Sequence, residues 1–181
     1  MARGTFIAVV GPSGAGKDSL IRAALAARSD LVAARRVITR PIDPTEDYES
    51  VDKSEFSDRL DAGHFALDWS AHGLMYGVPI QIEVDLAAGR HVMANLSRSV
   101  INQAREKFQP FQVLVIDASA ETLAQRLATR GREDAAEIQA RLERATYARP
   151  EGPDVKVVNN GADLSAGKAA FLAALPQPVS G

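Results

Sequence analysis

Apolar runs alternate with helix-like patterns along most of this chain. Short aliphatic or β-branched runs at Phe6–Val10, Arg35–Thr39, His91–Leu96, Val113–Ala118 and Val155–Asn159 predict strands. Between them, apolar residues recur three and four apart in Asp18–Arg28, Arg98–Lys107, Ala120–Thr129, Ala135–Ala148 and Ser165–Leu175, which is the spacing of one helix face. Alternation of this kind predicts an α/β fold. It implies a five-stranded parallel sheet with helices on both faces and ligands bound beyond the carboxyl ends of the strands. The rhythm fails between Pro41 and Asp85, where Pro44, Gly63, Gly73, Gly77 and Pro79 are interspersed with Tyr48, Phe56, Phe65, Trp69 and Tyr76. This stretch is too long for an idle connection. It reads as a subdomain inserted at about residues 41–85 into a core of 1–40 and 86–181, closing over a substrate. A satellite core built on its aromatics is compatible with that role. Phe56 and Phe65 are expected to pack, and Tyr48 and Tyr76 to keep free hydroxyls. The tail from Pro176 to Gly181 reads as frayed.

Between the first strand and the first helix stands Gly11-Pro12-Ser13-Gly14-Ala15-Gly16-Lys17. Strand, glycine turn, lysine and helix in that order make a P-loop. Glycines let backbone N–H groups close around a phosphate chain, and the helix N-terminus adds the positive end of its dipole. Lys17 supplies a mobile point charge for the β- and γ-phosphates. Gly11 to Ser19 are therefore the candidate ATP-binding residues, and Lys17 is the first candidate catalytic one. The residue after such a lysine usually offers a hydroxyl to Mg²⁺; here it is Asp18, with Ser19 next. Two readings stand: Asp18 simply favours the helix dipole, or Asp18 or Ser19 holds Mg²⁺ directly or through water.

Composition narrows the rest. A chain of 181 residues is long enough for one domain with a real core. It has no cysteine, which excludes disulfides, thiolate nucleophiles and zinc–thiolate sites and fits a cytoplasmic setting. No run is long enough for a membrane span, and the amino-terminal apolar run is too short for a secretion signal. A net charge of −2 disfavours a general nucleic-acid binder. A small phosphorylated substrate needs only local positive charge.

Arginines supply it. Arg40 follows a strand end, and Pro41 forces it into an extended conformation suited to bidentate phosphate binding. Arg126, Arg130, Arg132 and Arg141 lie in two short helical patterns around Gly131, at about residues 126–145. That is the layout of a helical lid able to close on a transferring phosphoryl group. Arg130 and Arg141 are the catalytic candidates there, Arg126 an ATP-site one, and Arg144 a structural one. His72 reads either as a substrate contact or as structure.

Set together, GPSGAGK, TRP at Thr39–Pro41, SEFSDRLDAGHFALDW, HGLMYGVP, LAAGRHV, the RL–RG lid and VVNN resemble the guanylate kinase-type P-loop kinases over nearly the whole chain. GKDSL, FALDWSAHGLMYG, the Ser97–Arg98 pair and RGRE resemble more closely the bacterial ribose 1,5-bisphosphate phosphokinases. The departures from guanylate kinase agree. Only Arg40 remains of that family's paired arginines, and ANLSRSV, with Asn95, Ser97 and Arg98, replaces an acidic segment. The resemblance implies transfer of the ATP γ-phosphate to the 1-phosphate of ribose 1,5-bisphosphate, giving 5-phosphoribosyl 1-diphosphate, with Mg²⁺, in phosphonate breakdown. It implies acceptor contacts from Arg40, Tyr48, Trp69, His72, Tyr76, Asn95, Ser97 and Arg98, and an approach of Asn159 to the adenine. A true guanylate kinase and a non-catalytic module on the same fold remain the alternatives, although modules of that kind usually lack the P-loop lysine.

Overall fold

In a computed structural model of the chain, residues 2–131, 134–145 and 149–180 are described. Five parallel strands form the main sheet in the order β2-β7-β1-β8-β9. They are β1 (Phe6–Val10), β2 (Leu31–Ala33), β7 (His91–Asn95), β8 (Phe111–Asp117) and β9 (Val155–Asn159). The β1 strand runs centrally, with Phe6 beside Val92 on one side and Phe111 on the other. It is buried on both faces and therefore reads as a continuous apolar run. Its alternate residues feed two cores. Phe6, Ala8 and Val10 join Val92, Val113, Val115 and Phe108 on one face. Ile7 and Val9 join Leu20, Met93, Leu114, Leu123 and Phe171 on the other. Helix α1 (Lys17–Ala27), α5 (Ala120–Arg130) and α7 (Leu164–Ala174) contribute to the second core. The first is covered by α3 (Ile82–Ala87) and α4 (Ile101–Lys107).

Residues 37–79 build a second sheet, β4-β3-β6-β5, from β3 (Val37–Ile38), β4 (Glu49–Ser50), β5 (Phe65–Ala71) and β6 (Leu74–Pro79), with helix α2 (Lys53–Asp61) beside it. Val37, Val51 and Phe56 form its private core, with Phe56 stacked on Phe65 at 4.7 Å. Ala66, Leu67 and Val78 instead join the first core and anchor the small sheet to the main one. Two expectations are corrected here. The Arg35–Thr39 run does not enter the main sheet: Val37 and Ile38 pair with Gly77 and Tyr76, and the edge place beside β7 belongs to Leu31–Ala33. The tail is tied at its start. Arg28 donates to the Pro176 carbonyl at 2.8 Å, and His91 Nε2 lies 2.9 Å from the Gln177 carbonyl. No helix among the described residues is long and apolar enough to cross a membrane.

Candidate functional site

The P-loop lies at the carboxyl end of β1, the central strand between β7 and β8. Its backbone is packed too tightly for a side chain at Gly11 and Gly16. A Cβ at Gly11 would lie 2.4 Å from the Ile116 carbonyl oxygen. Gly16, at φ +89°, caps α1 in the left-handed region, and a Cβ there would lie 2.5 Å from Asn160 Nδ2. Ala15 is fully buried. Lys17 Nζ donates to the carbonyls of Gly11 and Pro12, so the loop itself holds its cation in place. Burial pushes the Lys17 ammonium down to about 8, against the pull of Asp18.

Two side chains clamp the loop from behind. Arg126 Nη1 donates to the carbonyls of Gly14 and Ala15, each at 3.2 Å, and Nη2 to that of Gly161 at 2.7 Å. Asn160 is 1% exposed and donates from Nδ2 to the Ala15 carbonyl at 2.7 Å. Its Oδ1 has no hydrogen-bond partner among the described residues. Arg126 thus reaches the ATP site through loop carbonyls, and burial lowers its guanidinium pKa. Asn159, the residue named for the adenine, is exposed on the edge strand β9. Its neighbour Asn160 turns inward, as strand alternation continued by one residue requires.

On the acceptor side, Asn95 at the end of β7 donates from Nδ2 to Asp18 Oδ1 at 3.4 Å, linking the two halves of the cleft. Arg98 lines a cleft with Gly11, Pro12, Asp117 and Arg149, and its charge is felt at Lys17. Ser97 caps the short 3-10 turn at Arg98–Val100, accepting from the Ser99 N–H at 3.4 Å. Arg40 stacks 4.6 Å over the Tyr48 ring, donates to the Tyr48 hydroxyl at 3.2 Å and pairs with Glu46 at 2.8 Å. Burial opposes its charge, but the Tyr48 and Glu46 hydrogen bonds outweigh that and raise its pKa. The Tyr48 hydroxyl is not free, contrary to expectation: it donates to the Pro41 carbonyl. Trp69 and Tyr76 stack at 5.2 Å, 4° from parallel. His72, at φ +52°, sits exposed with Gly73 in the two-residue turn joining β5 to β6, which gives it a structural reason to be there.

Of the lid candidates, Arg130 is exposed at the end of α5, before Gly131 in the left-handed region. Arg141 belongs to α6 (Ala135–Ala145), but its side chain, like that of Arg144, lies outside the described residues, as does Arg132 altogether. Two residues of this cleft escape the sequence patterns. Asn160 is one. Arg36, whose charge is felt at Lys17, is the other. Their only signals were a second asparagine in VVNN and a second arginine in AARRV.

Asp18 and Ser19 supply hard oxygen donors, carboxylate and hydroxyl, at the start of α1. Among the described residues they belong to no cage of three or more acidic or histidine ligands. Two donors suit an ion that keeps water and takes phosphate oxygens for the rest of its shell, which is how Mg²⁺ is usually held. The donor set fits.

Comparison with known proteins agrees with this geometry. The guanylate kinase family model matches residues 3–170. A ribose 1,5-bisphosphate phosphokinase PhnN of Ruegeria sp. (strain TM1040) is 51% identical over 167 residues, 91% of this chain and 88% of that protein. The protein of that name from Acidiphilium cryptum (strain JF-5) is 52% identical over 175 residues, 95% and 92% of the two chains. A crystal structure of guanylate kinase from Anaplasma phagocytophilum shares the fold, with a TM-score of 0.65 at 21% identity, covering 95% of this chain and 84% of that one. The chain therefore belongs to the guanylate kinase family of P-loop kinases, on the branch of the ribose 1,5-bisphosphate phosphokinases.

Proposed function

We propose that this kinase transfers the γ-phosphate of ATP to the 1-phosphate of ribose 1,5-bisphosphate, giving 5-phosphoribosyl 1-diphosphate and ADP. The observation that carries the reading is charge. A P-loop lysine faces an acceptor cleft whose third-strand segment offers Asn95, Ser97 and Arg98 and no carboxylate. A guanine edge would leave polar groups unpaired there, whereas phosphate oxygens would be welcomed.

The acceptor is itself a phosphate, whose second pKa is about 6, so near neutral pH its oxygen is already an anion and needs no general base. His72 is accordingly given no proton-transfer role. Catalysis then rests on alignment and on neutralising charge. The loop amides and Lys17 hold the donor phosphates. Arg126 and Asn160 hold the loop by its carbonyls, keeping the amides turned inward. Asp18 and Ser19 would hold Mg²⁺, which when bound screens the negative charge of the donor phosphates. Arg40 and Arg98 receive acceptor phosphate, with Tyr48 orienting Arg40. Tyr76, stacked on Trp69, walls the sugar. Residues 126–145 act as the lid, bringing Arg130 and Arg141 to the group in transfer. Residues 41–85 act as the acceptor-binding insert. A freely diffusing phosphorylated sugar is the partner, in a cytoplasmic setting.

The test mixes pure protein, ATP and Mg²⁺ with ribose 1,5-bisphosphate or GMP and follows the products by ³¹P NMR. Formation of 5-phosphoribosyl 1-diphosphate at the higher kcat/KM is expected. GDP at the higher kcat/KM would make the chain a guanylate kinase in activity. ATP binding with turnover of neither acceptor would overturn the assignment.

A further inference from the structure

Arg36 has no task in the mechanism above, yet the fold buries its charge beside it. The residue precedes β3 and Arg40 follows it. In an extended segment, residues four apart share a face. Both arginines reach one carboxylate: Arg40 Nη2 lies 2.8 Å from Glu46 Oε2 and Arg36 Nη2 3.6 Å from the same atom. The nearer arginine makes the hydrogen bond. Among the described residues the Arg36 guanidinium donates none, although its side chain is only 12% exposed. The guanidinium is thus drawn from water with an ion pair to Glu46 but no hydrogen-bond acceptor, which leaves its rigid fork of N–H donors to a ligand.

The charge balance points the same way. The cations that act on one another here are Lys17, Arg36, Arg40 and Arg98, and the facing carboxylates are Asp18 and Glu46. Burial pulls the Arg36 guanidinium below its usual pKa, and Asp18, Glu46 and Tyr76 only partly offset it. Four cations against two carboxylates leave the cleft positive, as a site for phosphate groups must be. We propose that Arg36 is a specificity-determining residue whose guanidinium receives the second phosphate of a bisphosphorylated sugar. A planar fork with unspent donors matches phosphate oxygens bidentately. The inference rests on the proposed function and names what makes the site prefer a bisphosphate to a monophosphate.

The experiment measures calorimetric binding of ribose 1,5-bisphosphate, ribose 1-phosphate and ribose 5-phosphate to the wild type, Arg36→Gln and Arg36→Lys, each with ATP affinity and the circular dichroism spectrum recorded. Arg36→Gln is expected to lose at least tenfold in affinity for the bisphosphate, down to that of the better-bound monophosphate. That monophosphate and ATP should change by less than threefold. Arg36→Lys should recover part of the loss, since it restores charge without the fork. An unchanged ratio of bisphosphate to monophosphate affinity in a folded Arg36→Gln protein would overturn the inference, and so would equal losses for all ligands. Turnover by the wild type is a separate readout. If the wild type binds the bisphosphate without turning it over, the activity falls and Arg36 is judged on the binding ratio. If the wild type does not bind it, both fall.

Discussion

Replacing Asn160 by alanine separates holding the fold from holding the nucleotide. Among the described residues the side chain makes one hydrogen bond, Nδ2 to the Ala15 carbonyl at 2.7 Å, and leaves Oδ1 buried and unpartnered. Losing the bond costs about 1 kcal/mol, while removing a buried orphan acceptor returns about 1–3 kcal/mol. The small void left behind costs a comparable amount. These terms nearly cancel, so stability should move by no more than about 1 kcal/mol, or roughly 2–4 °C in Tm for a chain of this size. The loop behaves differently. Ala15 keeps only its 3.2 Å contact with Arg126, and binding must then order backbone that the native protein holds in advance. Ordering one residue costs about 1–2 kcal/mol, which is about 5- to 30-fold in Kd. Calorimetric titration with a non-hydrolysable ATP analogue, beside a thermal melt, reads both quantities. A fall in Tm of more than about 8 °C with ATP affinity unchanged would refute the reasoning and make Asn160 a core residue whose contact with Ala15 is incidental.

Other expectations follow from the same site. Lys17→Ala should remove phosphoryl transfer while circular dichroism stays native, because the charge acts on phosphates and not on the core; near-normal turnover would falsify the P-loop assignment. Asp18→Asn should raise the Mg²⁺ concentration needed for half-maximal activity, and an unchanged titration would leave Asp18 only its dipole role. Arg130→Ala should lower kcat more than it raises KM, since a lid arginine acts on charge that develops in transfer; a change confined to Tm would make it a helix-end ion-pair partner. Arg28 hydrogen-bonds Asp30 and holds its carboxyl below the usual range. A lowered carboxylate pKa stabilises the fold above the unfolded value and ceases to do so as the pH falls below about 4. Arg28→Ala should therefore cost about 0.5–1 kcal/mol at pH 7, discounted for partial exposure. In urea titrations the gap from wild type should shrink toward pH 3, and a gap independent of pH would show that the Pro176 contact carries it instead.

The parts legible in the sequence were those written in local order. Strands β1, β7 and β8 are buried on both faces and announce themselves as apolar runs, the edge strand β9 shows as a short valine-rich run, and the phosphate loop is contiguous. Leu31–Ala33 is too short to show a period, while Val37–Ile38 looks the same whichever sheet receives it. Only the pairing with β6 and the packing of Val37 on Phe56 decide its place. Arg36 and Asn160 were invisible for another reason. Arginine and asparagine are ordinary surface residues until a fold buries them, and what marks these two is an acceptor or donor left unmet. Tyr48 shows the reverse: a hydroxyl that composition offers to substrate is claimed by a backbone carbonyl seven residues back.

The tethered tail has a practical side. Arg28 on the helix side and His91 within the sheet both hold main-chain oxygens of residues 176 and 177, and Gln112 and Lys156 hold the carbonyl of Ala174. Four side chains from separate parts of the fold thus grip three residues of this short stretch like the stitches of a hem. A fusion partner, affinity tag or surface tether attached beyond Gln177 would pull on that hem before it pulled on the nucleotide loop. Handles for immobilisation or single-molecule work therefore belong past this point, behind a flexible spacer, with the seam left closed.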